Sequence, residues 1–306
     1  IVRPVKIAAE VSEEIADGAL DVRLLEKGDD VISSLAKSFN RMADSLQQQI
    51  TKLASVSKMQ QRFVSDVSHE LRTPLTTIKL AGDLIFEARK DLDPSLKRSA
   101  EIMQGQIERF EVLLNDLLEI SRYDAGAVRA ELEIHDLNQV ARSAVASIDP
   151  LALKRGSTIE VEMPSSEVMA EFDSRRIERL LRNLLANAIE HGEGKPIRVA
   201  VGVNEEAVAV SVTDNGVGMN ETEIARVFDR FWRADPARKR TTGGTGLGLA
   251  ISLEDTLLHG GSLDVWAKPN AGASFRLTLP KVQGGQITAS PLELPGETKA
   301  KPGEDR

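Results

Sequence analysis

The feature that most constrains the fold is a long apolar seam with near-heptad spacing. Apolar residues recur at intervals of three and four from Ile32 to Leu53, and the pattern continues without a helix breaker to Leu71. Such spacing predicts an amphipathic helix whose apolar stripe needs a partner helix. The pattern passes Pro74 and continues to Ile85. Because proline removes a helical hydrogen bond, we predict one very long helix that is kinked or locally unwound there.

A second seam follows a short turn at residues 91–94 and runs from Leu96 to Ile120. Two long amphipathic helices joined by a short turn form a hairpin, which ends near Gly126. A two-helix hairpin has too little core to stand alone, and pairing two copies into a four-helix bundle is the simplest remedy. The pattern therefore predicts a homodimer.

Residues 130–280 have a different, mixed pattern. Strand-like runs occupy residues 132–135, 158–163, 168–172, 197–203, 208–213, 262–267 and 273–279, and helix-like runs occupy 137–148, 174–191 and 247–258. Strands outnumber helices and are partly sequential, so we predict an α/β sandwich, a mixed sheet with helices on one face. The fold class is thus α+β and multi-domain. Residues 282–306 are rich in Gly and Pro, and we expect them to be disordered.

Composition excludes several function classes. The chain has no Cys, which rules out disulfide scaffolds, cysteine nucleophiles and thiolate metal sites. Its net charge of −8 argues against a nucleic-acid partner. It contains no apolar run long enough for a bilayer span, yet it begins at Ile1 rather than Met. We therefore expect a piece of a longer protein.

His69 is the first candidate for chemistry. It lies two residues from Val67 and from Leu71 of the seam, which places it on the opposite side of the helix, toward solvent. An exposed imidazole can act as a nucleophile, and the neighbouring Glu70 could accept its other proton. The alternative is a surface histidine without a chemical role.

The second candidate is a pair of glycine-rich segments. Asp214-Asn-Gly-Val-Gly218 follows a predicted strand, and Gly-Gly-Thr-Gly-Leu-Gly-Leu at 243–249 precedes a predicted helix. Glycines allow the backbone to approach phosphates, and a helix N-terminus supplies N–H donors. Five cationic residues lie between the segments: Arg230, Arg233, Arg238, Lys239 and Arg240. The combination predicts a polyphosphate site, although each part alone is also typical of a hairpin turn or a solvated charge run.

Asn183 and Asn187 form the third candidate. They are four residues apart, so they share one face of a predicted helix. Amide oxygens on such a face could coordinate Mg²⁺ together with nucleotide phosphates and water. Capping or structural hydrogen bonding is the alternative.

Taken together, the motifs resemble those of the bacterial sensor histidine kinases. Ser-His-Glu-Leu-Arg-Thr-Pro at 68–74, the asparagine pair, the 214–218 turn, Phe-Asp-Arg-Phe at 228–231 and the 243–249 loop occur in that family's order over residues 54–281. Residues 1–53 resemble a HAMP linker. Residues 63–85 and 115–126 look like one actinobacterial type of sensor kinase.

The resemblance implies roles for the hairpin and the asparagines. His69 would receive the γ-phosphoryl group of ATP, with Glu70 as base. Thr73 would place water in the reverse, phosphatase reaction. Asn187 would hold Mg²⁺, and Asn183 would lie close to the phosphates.

It also implies the nucleotide contacts. Asp214 would accept a hydrogen bond from the adenine amino group, Gly216 and Gly218 would make room for the base, and His191 could stack near it. Further contacts, beneath a mobile lid, would come from Arg230, Gly244, Thr245, Gly246, Leu247 and Gly248. Many relatives carry Lys or Arg where this chain has Glu190, which puts a phosphate contact there in doubt.

The implied organisation has four parts: a HAMP-like linker (1–53), a dimerisation and histidine-phosphotransfer hairpin (54–127), a catalytic ATP-binding domain of the histidine kinase, Hsp90 and gyrase type (128–281) and a tail (282–306). ATP and Mg²⁺ would be the cofactors, and a response-regulator receiver domain would be the partner. The chain would be the cytoplasmic portion of a cell-membrane protein, with a hinge near residues 124–130. An ATP-driven clamp or a kinase of another acceptor remains the alternative, and a silent dimeric scaffold is a third.

Overall fold

The computed structural model describes residues 2–16, 19, 21–25, 31–233 and 245–297. The chain divides into two compact units, one of residues 1–71 with 125–127 and one of residues 72–124 with 128–306. Among the described helices, none combines the length and apolar character that a bilayer span requires.

The first unit contains helix α1 (Val2–Ala16) and the start of helix α2 (Val31–Glu87). Its small core consists of Val11, Leu24 and Ala36, with Phe39 packed against it. The Asn40 carboxamide accepts a hydrogen bond from the Leu24 N–H and donates one to the Leu24 carbonyl, both at 2.9 Å. This pair of bonds fixes the extended connector against α2.

The predicted very long helix is confirmed, but local unwinding at Pro74 is not, because α2 continues through the proline without interruption. Proline removes the hydrogen bond to the carbonyl four residues earlier, and its ring crowds that carbonyl, yet every residue on both sides of Pro74 stays helical. Threonine hydroxyls add bonds just beyond it. Thr76 Oγ1 donates to the Arg72 carbonyl at 2.8 Å and Thr77 Oγ1 donates to the Thr73 carbonyl at 3.2 Å.

The predicted hairpin is also confirmed in the second unit. A 3-10 turn (Ala88–Asp91) leads to helix α3 (Pro94–Asp124). Leu75 of α2 packs on Leu114 and Leu118 of α3. An ion pair of 2.6 Å joins Lys79 to Glu111 across the hairpin.

The remaining elements form the predicted α/β sandwich. In chain order they are β1 (Glu133–Asp136), α4 (Leu137–Lys154), β2 (Ile159–Glu162), β3 (Met169–Phe172), α5 (Ser174–His191), β4 (Ile197–Val203), β5 (Ala207–Asp214), α6 (Glu221–Ile224), α7 (Gly248–Leu258), β6 (Ser262–Lys268) and β7 (Gly272–Pro280). The main sheet has the order β2-β4-β5-β7-β6, in which β2 and β4 are parallel and the other pairs antiparallel. Strands β1 and β3 form a separate two-stranded sheet.

One face of the main sheet carries the core. Val208, Val210 and Val212 alternate along β5 and are buried, together with Leu181 and Leu184 of α5. The alternation is the period-two pattern of a strand covered on one side by helices. Strand β5 ends at this core, and this places its last residue, Asp214, beside the C-terminal half of α5.

The opposite face of the sheet is covered by residues 282–297, which we call the C-terminal strap. The expectation of disorder is therefore wrong for this segment. Leu292 lies against Gly202, where a Cβ atom would come within 2.8 Å of its side chain. Arg276 donates to the Leu292 carbonyl at 2.7 Å, and Leu294 is buried. The strap lacks periodicity because its partners are polar and small residues of the sheet. Residues 298–306 lie outside the described residues.

Candidate active site

Asp214 occupies the end of β5 and is 5% exposed. Its Oδ1 accepts a hydrogen bond of 2.8 Å from the Gly216 N–H. Burial raises the pKa of the Asp214 carboxyl, and the hydrogen bond from Gly216 opposes that rise. A buried carboxylate at the end of a strand is suited to accept a hydrogen bond from a polar edge of a planar ligand.

Around Asp214 the backbone segments approach each other so closely that several positions must be glycine. A Cβ on Gly216 would lie 1.9 Å from the His191 carbonyl oxygen, and one on Gly218 would lie 1.9 Å from the Lys268 carbonyl oxygen. Sequence reasoning missed Gly272, which has φ +88° and would place a Cβ 2.0 Å from the Asp214 carbonyl oxygen. Its signal was the Asn270-Ala-Gly272 turn between two strand-like runs. Glycine at these three positions lets the backbone segments around Asp214 pack directly against one another.

The two predicted asparagines lie on α5 as expected, but their environments differ. Asn183 Nδ2 donates to Ser252 Oγ at 2.9 Å, and the Asn183 carboxamide lies against Gly248, where a Cβ would be 2.4 Å from Oδ1. Asn187 is half-buried, and its side chain makes no hydrogen bond to any described residue. Its amide is thus available to a ligand, and an amide oxygen is a donor that Mg²⁺ accepts. Ser252 is another residue that sequence reasoning missed.

No group of three or more acidic, His or Cys side chains within the described ranges could hold a metal ion by itself. The donor set around Asn187 therefore suits an ion that keeps most of its ligands from water and substrate phosphates, as Mg²⁺ does.

The second glycine loop leads directly into α7. Gly246 has φ +76°, and its carbonyl accepts a hydrogen bond of 2.9 Å from the Phe231 N–H. The α7 N-cap, Leu247, makes no side-chain capping bond, so N–H groups of the first turn remain available for an anion. Gly244 lies outside the described residues, as do Arg238, Lys239 and Arg240.

The predicted nucleotide contact of Leu247 stays a prediction. Leu247 is fully buried, and its side chain packs with Ile120, Ala250 and Ile251. Its backbone N–H donates to Thr245 Oγ1 at 3.2 Å. His191, by contrast, is exposed at the end of α5.

Two further residues that we predict to contact the nucleotide donate hydrogen bonds to carboxylates of α3. Arg230 donates to both carboxylate oxygens of Asp124, at 2.7 and 2.6 Å. Thr245 Oγ1 donates to Asp116 Oδ2 at 2.6 Å. The Arg230 hydrogen bond lowers the pKa of Asp124, whereas burial raises that of Asp116.

The predicted acceptor residues lie on α2. His69 and Glu70 belong to the first compact unit, and Thr73 belongs to the second. The backbone of His69 is helical, but its side-chain placement is outside what the structure describes, so the predicted projection toward solvent stays a prediction. Glu70 is exposed.

Comparison with protein-family models assigns three consecutive domains. Residues 1–48 match the HAMP domain, residues 59–126 match the His Kinase A (phospho-acceptor) domain, and residues 172–283 match the histidine kinase-, DNA gyrase B- and HSP90-like ATPase. The chain belongs to the sensor histidine kinases. The phospho-acceptor match contains His69, and the ATPase match contains Asp214, the asparagine pair and both glycine segments.

Individual relatives agree with this membership. Sensor histidine kinase MtrB of Mycolicibacterium paratuberculosis is 52% identical over 294 residues, covering 96% of this chain and 52% of that protein. MtrB of Mycobacterium tuberculosis is 51% identical with the same coverage. Sensor histidine kinase WalK of Bacillus subtilis is 35% identical over 76% of this chain and 38% of that protein. The chain thus spans about half the length of the MtrB proteins, and the resemblance to an actinobacterial sensor kinase is confirmed as one to the MtrB type.

Solved structures give the same fold. The crystal structure of full-length ShkA in complex with AMPPNP superposes with a TM-score of 0.62 at 25% identity, covering 76% of this chain and 47% of that one. The Acinetobacter baumannii histidine kinase AdeS superposes with a TM-score of 0.51 at 20% identity, covering 70% and 98%. The predicted order of helical segments followed by an α/β ATPase domain is therefore confirmed.

Proposed function

We propose that this chain transfers the γ-phosphoryl group of ATP to His69 and then to an aspartate of a response-regulator receiver domain. The observation that carries the proposal is the group of residues at the end of β5 and on the adjoining helix α5. A buried carboxylate, a set of obligatory glycines and an asparagine amide without a hydrogen bond to any described residue occur there, in a chain whose residues 59–126 match a phospho-acceptor domain. That match favours a histidine kinase over an ATP-driven clamp with the same nucleotide fold.

At this site, Asp214 would accept a hydrogen bond from the exocyclic amino group of adenine, and guanine presents no donor at that position. Asn187 would hold Mg²⁺, which supplies charge neutralisation to the phosphates when bound. The uncapped first turn of α7 and the backbone beside Gly246 and Gly248 would donate N–H groups to phosphate oxygens.

In the transfer step, a lone pair on one ring nitrogen of His69 forms the bond to the γ-phosphorus while the bond from that phosphorus to the bridging oxygen of ADP breaks. The other ring nitrogen gives up its proton to Glu70, so that the phosphorylated ring is left without a positive charge. Thr73 would position water in the reverse reaction on the partner's phospho-aspartate.

The working unit would be a homodimer, and the chain would be the cytoplasmic part of a membrane-anchored sensor.

Incubation with γ-labelled ATP and Mg²⁺ tests the proposal. We expect label on the wild-type chain that survives base and is lost in acid, as expected for a phosphohistidine. His69→Gln should remove the label while leaving ATP binding intact, and Asn187→Ala should remove Mg²⁺-dependent labelling. Label that persists on His69→Gln would contradict the assigned acceptor.

A further inference from the structure

Helix α3 carries a row of acidic and apolar residues that contacts the ATPase domain. Two interleaved series with spacings of three and four make up this row, so its members lie on one face of the helix: Asp116, Glu119 and Tyr123 in one, and Asp116, Ile120 and Asp124 in the other. Ile120 is buried against Leu247, Ala250 and Ile251 at the start of α7. The polar members of the row reach α5, α7 and the nucleotide site. We call this row the acidic face of α3.

The centre of this contact is a buried ion cluster around Asp255 of α7. The Asp255 side chain is 0% exposed and accepts hydrogen bonds from Arg176 at 3.0 Å, from Arg179 and from the Tyr123 hydroxyl. Both arginines also donate to Glu119, Arg176 at 3.3 Å. A buried charge is stable only when it is paired and hydrogen-bonded, and here the arginines of α5 satisfy it jointly with residues of α3. The Asp255 cluster therefore joins α3 to the ATPase domain.

The two ends of the acidic face engage residues expected to contact ATP. Asp124 holds Arg230 through two hydrogen bonds, and Asp116 accepts from the Thr245 hydroxyl. In both pairs the carboxylate oxygen accepts the hydrogen bond that a phosphate oxygen would accept, since carboxylate and phosphate oxygens are both anionic acceptors. A triphosphate entering this site would have to displace these carboxylates and would meet their negative charge.

The geometry points to the acidic face of α3 as a docking surface for the ATPase domain of its own chain, one that competes with the phosphates of ATP for Thr245 and Arg230. The docked arrangement is held by the Asp255 cluster, and nucleotide binding favours release. Because coupling is reciprocal, weakening the docked arrangement at any point along the face tightens ATP binding. This inference rests on the proposed ATP site.

The test measures ATP affinity in the 306-residue chain carrying His69→Gln, so that labelling does not consume the nucleotide. Asp116→Asn and Asp124→Asn remove the competing charges, and each should lower the Kd for ATP about threefold, with a decrease of roughly tenfold for the double variant. Glu119→Gln contacts no predicted nucleotide ligand, yet it should lower the Kd about threefold because it weakens the Asp255 cluster. Glu108→Gln, an exposed charge change on the same helix, is the matched control and should leave the Kd unchanged.

A second measurement follows docking directly. Tyr123 is the chain's only tyrosine, so fluorotyrosine labelling gives one ¹⁹F resonance. Saturating ATP with Mg²⁺ should move this resonance toward that of the Glu119→Gln variant. If Glu119→Gln leaves the Kd unchanged while the aspartate variants lower it, only local charge repulsion acts and the docking surface is wrong. A resonance that stays fixed in the nucleotide-bound chain also overturns it. A wild-type chain that binds no nucleotide refutes the proposed function instead.

Discussion

At the scale of single residues, Asp214 shows a conflict between binding and stability. Burial raises the pKa of its carboxyl, so the ionised form that would bind adenine is disfavoured in the folded chain. The penalty is absent below the pKa of the unfolded chain's carboxyl and is complete above the pKa in the folded state. The residue that we propose recognises adenine thus lowers the stability of the empty site at neutral pH.

Asp214→Asn should therefore stabilise the empty ATPase domain and weaken ATP binding at the same time. The amide keeps an acceptor for the Gly216 N–H and removes the buried charge. We expect the free energy of unfolding to rise by about 1 kcal/mol at pH 7, and the gain should vanish toward pH 3. Thermal unfolding across this pH range measures the first effect, and ATP titration measures the second. A destabilised variant at neutral pH would contradict this account.

Ser252 acts through Asn183. The hydroxyl is 2% exposed, donates to the Gly248 carbonyl at 2.9 Å and accepts from Asn183 Nδ2. Both hydrogen-bonding directions of the hydroxyl are thus used to fix the Asn183 carboxamide beside the glycine loop.

Ser252→Ala should cost about 1 kcal/mol of stability and weaken ATP binding several-fold, because the Asn183 amide loses its partner. Thr256→Val is the matched control. Its hydroxyl is also buried and donates to the Ser252 carbonyl at 2.8 Å, one turn away from the loop. Urea unfolding should show similar losses for the two variants, while ATP titration should separate them. Equal effects on ATP affinity would show that Ser252 has only a general structural role.

At the scale of elements, sequence periodicity predicted nearly every helix and strand, because most of these elements carry their apolar residues at helical or strand spacing. It failed for the C-terminal strap, whose contacts are made by backbone carbonyls and single side chains. It also gave no sign of the Asp255 cluster, which joins residues up to 136 positions apart in the chain. The adjacent carboxylates Glu254 and Asp255 inside α7 were the available signal. For the site, the roles of the motif residues stay predictions, whereas Gly272 and Ser252 were missed because their contacts arise from packing that only the fold creates.

The strap should stabilise the ATPase domain. Arg276 is 7% exposed and donates to the Leu292 carbonyl and to Glu297, at 2.7 and 2.6 Å, and also pairs with Asp264 at 3.1 Å. Ending the chain after Gly285 leaves this arginine with Asp264 alone and exposes the sheet face. We expect a loss of about 2–4 kcal/mol in the free energy of unfolding.

Ending the chain after Glu297 is the control, since it keeps every one of these contacts and should unfold like the 306-residue chain. Denaturant titration of the three chains, read from the ATPase domain, gives the comparison. Equal stability of the shortest and longest chains would show that the strap contributes nothing.

At the scale of the whole molecule, the family and the order of its domains could be predicted because five motifs occur in sequence. The division into compact units could not. The chain passes between them at residues 71–72, 124–125 and 127–128, and the last two positions lie within the predicted hinge at residues 124–130. Periodicity does not show this boundary, because the apolar seam of α2 continues across residue 71 without a change of spacing.

The seam in the first unit supplies the last prediction. Leu46, Ile50, Leu53, Met59 and Phe63 are between 39% and 72% exposed in the single chain. A row of large apolar residues at helical spacing requires a partner, and the proposed dimer would supply it through the same row of a second chain. We therefore expect the wild-type chain to sediment as a dimer at micromolar concentration.

Replacing Leu53 with Glu would place two like charges in the dimer seam, one from each copy. The dissociation constant should rise by at least about a hundredfold, since removing a buried leucine and burying an unpaired charge each cost several kcal/mol. Gln48→Glu adds the same charge on the opposite, exposed side of the same helix and should leave the dimer intact. Sedimentation equilibrium compares the three chains. If Leu53→Glu remains as dimeric as Gln48→Glu, the copies do not pair through this row, and the exposed seam of α2 belongs to another contact.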